Sequence, residues 1–66
     1  MKKDNNNLYN LTTQLVQEQK SLWRIKNNYI KDAGKNKEMK EFWSEIVKEK
    51  EILIEDLKTI IKIELN

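Results

Sequence analysis

Apolar residues recur along the first half of the chain at Leu8, Leu11, Leu15, Leu22, Ile25 and Tyr29, in alternating steps of three and four, with Glu18 set into the same series. That spacing is the seam of a helix that packs on a partner. A second series downstream reads Trp43, Ile46, Lys50, Leu53, Leu57 and Ile60, and it too carries one charge, Lys50. The two series predict helices over about 7–32 and 37–64. Their interiors hold no Gly or Pro and are rich in Leu, Gln, Lys and Glu, which lose little rotamer freedom in a helix. Asn27-Asn28 is the weakest point by propensity, to be held by packing of Ile25 and Tyr29.

The only break falls at 33–36. Gly34 is expected to end helix one at positive φ, which costs a residue without Cβ nothing. Asn36 is expected to cap helix two, with Glu38 and Glu41 in or near its first turn, where the helix dipole favours acids. Residues 1–5 are expected to fray, with an N-cap somewhere among Asp4 to Asn7. Two helices of equal length joined by so short a turn make an antiparallel hairpin, so the fold class is all-α. Charge agrees with the pairing. From Asn5 to Asp32 there are four basic and two acidic residues; from Asn36 to Asn66 there are six basic and eight acidic.

Composition narrows what can hold such a hairpin together. The chain has 66 residues, 38% hydrophobic and 36% charged, and is read as one domain over 1–66. Below roughly 70–80 residues stability usually needs disulfides, a metal, oligomerisation or very regular helix packing. There is no Cys and no His, which removes disulfides, thiolate sites and the commonest transition-metal ligand. Packing and oligomerisation are left. The net charge of +2 demands neither nucleic acid nor an anionic membrane. Met1-Lys2-Lys3 is followed by Asp4 and three Asn rather than an apolar core, so no signal peptide is read. No apolar run approaches the roughly 20 residues of a membrane span. A cytoplasmic protein is the expectation.

The apolar surface exceeds what two seams use. Helix one carries a further row at Tyr9, Val16, Trp23 and Ile30, and helix two carries Val47, Ile54 and Ile61 beside Trp43. A lone hairpin would leave these rows open, and they are expected to form an oligomer interface. A second copy closing a four-helix bundle is the simplest solution, because two-fold dimers are the commonest oligomers. A different protein partner is the alternative.

With the turn centred near Gly34, Leu22 faces Ile46, Leu15 faces Leu53 and Leu11 faces Leu57. Glu18 and Lys50 then fall at one level on facing helices. Either they form an ion pair inside the bundle, fixing register as polar seam residues do, or both side chains reach past the seam edge to water.

The segments Glu18–Trp23, Tyr29–Gly34, Phe42–Glu51 and Ile54–Leu57 are similar to a ferritin-like or rubrerythrin-type helical hairpin. In that family each hairpin supplies a Glu from its first helix and a Glu-x-x-His from its second, which together bind two irons. Glu18 matches the first-helix Glu. At the second motif this chain has Lys50 and Leu53 in place of the Glu and the His. The resemblance therefore implies a hairpin whose di-iron site is lost, with the Lys50 ammonium neutralising Glu18 instead of a metal.

No catalytic residues, metal site or cofactor are assigned, and an enzyme is not expected. Ser21 and Ser44 have no base near them in the pattern, and no Gly-rich phosphate loop exists. The expected function is a self-associating scaffold or protein-interaction module. Two alternatives differ in kind. One is a Rop-like dimer that binds nucleic acid through Lys20, Arg24, Asn27, Asn28 and Lys31, although scattered Lys on a helix is usually a solvated face. The other is a hairpin that builds a metal site between subunits, for which Glu49 and Glu51 flank the seam.

Overall fold

The computed structural model describes residues 6–66; the expected frayed start over 1–5 lies outside them. Helix α1 spans Asn6–Arg24, a π-helical turn follows over Ile25–Tyr29, and α2 completes the first arm at Ile30–Ala33. The second arm is a single helix, α3, over Lys37–Leu65. The two arms pack against each other along their length as an antiparallel hairpin. Both helices begin and end within a residue or two of the positions predicted from the repeats.

The first arm differs from expectation at its weakest stretch. Around Asn27-Asn28 the backbone widens into a π turn, and the Ile30 N–H donates to the Ile25 carbonyl, five residues back. Asn side chains compete with the backbone for hydrogen bonds, and Asn27 does so here: its amide donates to the Trp23 carbonyl at 2.8 Å. Packing does hold the stretch, as a wider turn. Ile25 is the most buried side chain described, at 2% exposure. Tyr29 lies 4.9 Å, centroid to centroid, from Trp43 on the other arm, at 52°. Phe42 meets the same indole edge-on at 5.1 Å, so three aromatic rings stack near the turn, a favourable geometry for such rings.

Gly34 takes φ 58° with ψ −117°. The sign of φ is as expected, but ψ lies outside the left-handed helical well, in a region that residues with a Cβ avoid. Space is not the constraint, since the nearest neighbour of an added Cβ is 3.9 Å away. The Gly34 N–H donates to the Lys31 carbonyl at 3.0 Å, and the Asn36 N–H to Ala33 at 2.9 Å, closing the first arm. Asn36 then caps α3: its Oδ1 accepts from the Met39 N–H at 3.0 Å.

On the first arm the seam is as read. Leu8, Leu11, Leu15, Glu18, Leu22 and Tyr29 are half-buried and Ile25 is buried. The second seam is corrected. The side chains turned inward on α3 are Trp43, Ile46, Val47, Lys50, Ile54, Leu57 and Ile61, whereas Leu53 and Ile60 are exposed. A straight α-helix returns to the same direction after about 18 residues, five turns, and a strict seven-residue repeat drifts off that line by about 20° per heptad. Trp43 and Ile61 are the ends of one such five-turn period, and Leu53 and Ile60 have drifted out of it. The resulting core is thin: among the described residues only Ile25, Ile54 and Leu57 are buried.

The turn geometry sets two expected costs. Gly34→Ala should destabilise the chain by about 1–2 kcal/mol through its φ, and Asn36→Ala by about 1 kcal/mol through the lost cap. Urea titration of both variants checks them; a loss of only a few tenths at Gly34 would contradict the backbone account.

Candidate functional site

Midway along the hairpin the two inset charges meet. The Lys50 Nζ donates to Glu18 Oε1 at 2.6 Å, with the side chains only 22% and 13% exposed. Gln14, one turn before Glu18, donates its Nε2 to the other carboxylate oxygen at 2.7 Å. Both oxygens of Glu18 therefore have a donor from protein. The Lys50 hydrogen bond holds the Glu18 carboxyl below its ordinary value of 4.5; partial burial opposes this, and the Gln14 bond adds to it. Chemically, Glu18 is a carboxylate kept ionised at neutral pH and closed around a fixed cation.

A second ion pair crosses the hairpin nearer the turn, Lys26 to Glu51 at 3.0 Å, with both side chains about half exposed. Nothing in the repeats singled it out, because both residues lie on the flank of the seam. Lys48–Glu45 and Lys58–Glu55 are exposed pairs within α3, of the kind that contributes little. The described residues hold no group of three or more acidic side chains arranged to grip a metal ion. Of the residues proposed for nucleic acid, Lys20, Arg24, Asn28 and Lys31 are exposed, and Asn27 is exposed but occupied with the Trp23 carbonyl.

The expected oligomer rows divide. On α1, Tyr9 (71% exposed), Val16 and Trp23 (60%) stand open, while Ile30, beyond the π turn, is half-buried. On α3 the expectation is corrected: Ile54 is buried inside the hairpin, and Trp43, Val47 and Ile61 are half-buried beside it. Beside Ile54 the surface is a groove lined by Gln19, Leu22, Glu51, Glu55 and Lys58. The open apolar residues of α3 are instead Met39, Phe42, Leu53 and Ile60 on one flank, with Ile52, Ile63 and Leu65 exposed elsewhere on the helix. The signal for this row was present in the sequence. Met39, Phe42, Ile46, Leu53 and Ile60 keep three-four spacing when Glu49 and Asp56 are counted in the series, but Ile46, Leu53 and Ile60 also fit the seam repeat.

Compared with known proteins, the chain matches no family model, no curated protein and no solved structure. No helix of the described residues is long and apolar enough to cross a membrane.

Glu18→Gln should cost about 2 kcal/mol at pH 7, since it leaves the Lys50 ammonium without its counter-charge in a mostly enclosed place. A lowered carboxyl value stabilises the fold fully above pH 4.5, and that contribution is lost as pH falls through the lowered value. The gap between parent and variant should therefore close in acid. Equal stability at pH 7, or a gap unchanged in acid, would show the pair to be inconsequential.

Proposed function

We propose that this chain is a non-enzymatic helical-hairpin module that works by self-association through its open apolar faces. One observation carries the reading. Among the described residues the hairpin buries only Ile25, Ile54 and Leu57, yet leaves Tyr9, Trp23, Phe42, Leu53 and Ile60 facing outward. Large side chains in rows at helical spacing are ordinarily covered by another helix. A chain of this size with so small a core and no disulfide gains most by covering them.

The Glu18–Lys50 pair fits a module of this kind as a register device. A charged layer in an apolar seam disfavours slipped pairings, since any shift buries each charge against Leu or Ile. If the hairpin descends from a ferritin-like ancestor, the Lys50 ammonium stands in for the metal charge there; a self-associating module needs no such ancestry.

Size-exclusion chromatography with light scattering across a wide concentration series is the test. The mass should exceed the 8.0 kDa of one chain and rise with concentration. A mass of one chain throughout would end the self-association reading and direct attention to a different protein as the cover for these rows.

A further inference from the structure

We propose that copies of this hairpin associate side by side, the outer row of α1 in one copy packing antiparallel on the outer row of α3 in the next. The inference rests on the self-association reading above and specifies which surfaces meet.

The two open rows lie on opposite flanks of the hairpin. On α1, Tyr9, Val16 and Trp23 each follow a seam residue by one position, on the flank where Lys26 crosses to Glu51. On α3, Leu53 and Ile60 each precede an inward residue, Ile54 and Ile61, on the flank away from Glu51. A two-fold pair has to bring the same patch of both copies together. Such a pair covers the α1 rows or the α3 rows and leaves the others open.

Pairing unlike rows fits better in both spacing and charge. Tyr9, Thr13, Val16, Lys20 and Trp23 step by four, three, four, three; Ile60, Asp56, Leu53, Glu49 and Ile46 step back by the same amounts. Laid antiparallel, Val16 falls on Leu53 and Tyr9 on Ile60, while Trp23 reaches the level of Ile46, which is half-buried in the hairpin's own seam. The polar positions coincide too: the Lys20 ammonium falls at the Glu49 carboxylate, and the Thr13 hydroxyl at Asp56. Lys20, Glu49 and Asp56 take part in none of the ion pairs formed among the described residues. Like rows would instead set Lys20 against a second basic face, or Glu49 and Asp56 against a second acidic one, which electrostatic complementarity disfavours. The match ends at Trp23, where the π turn changes the helix phase.

Because the contact joins unlike surfaces, every pair leaves one row of each kind free for a further copy. Growth continues into a ring where the rotation between copies closes, and into a filament where it does not.

The chain has no Cys, so single thiols report contacts cleanly. Val16→Cys and Leu53→Cys chains, mixed and oxidised gently, should form the mixed disulfide in about tenfold excess over either self-disulfide. Lys20→Glu should weaken association of the otherwise unaltered chain by about tenfold, and adding Glu49→Lys to it should restore association. Self-disulfides in excess, with association intact, would overturn the side-by-side arrangement while leaving self-association standing. Absence of association by the unaltered chain at every concentration would overturn both.

Discussion

A helix with one partner can bury only one stripe of its surface, and that constraint shapes this hairpin. Each arm has more apolar width than its neighbour covers. The structure satisfies the inner stripes through Leu8 to Tyr29 on one arm and Trp43 to Ile61 on the other, and spends the rest on the outside. The three residues buried among those described are a small core for a hairpin of this length. That imbalance between what is covered and what is open is the source of the proposed self-association.

Polar groups make the inner stripe specific. Glu18 and Lys50 sit at its middle, where each would be costly against hydrocarbon and where each is neutralised by the other at 2.6 Å. Asn36 and Gly34 fix the other end by capping α3 and reversing the chain. Register is thus pinned at two separated levels, while the apolar contacts between them tolerate variation. The π turn at Ile25–Tyr29 lies between these anchors. It absorbs the low helix propensity of Asn27-Asn28 and still presents Ile25 and Tyr29 inward.

Much of the fold was legible from residue spacing alone. The helices, the turn, its glycine and its cap follow from local rules that act over a few residues, and the level at which Glu18 meets Lys50 follows from counting out from the turn. The second seam was harder. Over one or two heptads a three-four repeat and a straight 3.6-residue helix cannot be told apart, and Val47 and Ile54 compete with Ile46 and Leu53 for the inward position. Only the full length from Trp43 to Ile61 separates them, and the straight-helix solution prevails because one short partner imposes little supercoil. The same ambiguity placed Leu53 and Ile60 inside and hid the outer row of α3. The Lys26–Glu51 pair was invisible for a different reason: flank contacts depend on side-chain reach rather than on spacing.

The central claim is that the outer rows are covered by other copies of the chain, and Trp23 reports on it directly. With Trp43→Phe, Trp23 is the sole tryptophan, and it stands largely in water in a single hairpin. Its fluorescence emission should shift to shorter wavelength as the protein is concentrated, because association removes the indole from water. Emission that stays at the solvent-exposed position across the concentration series would contradict the account.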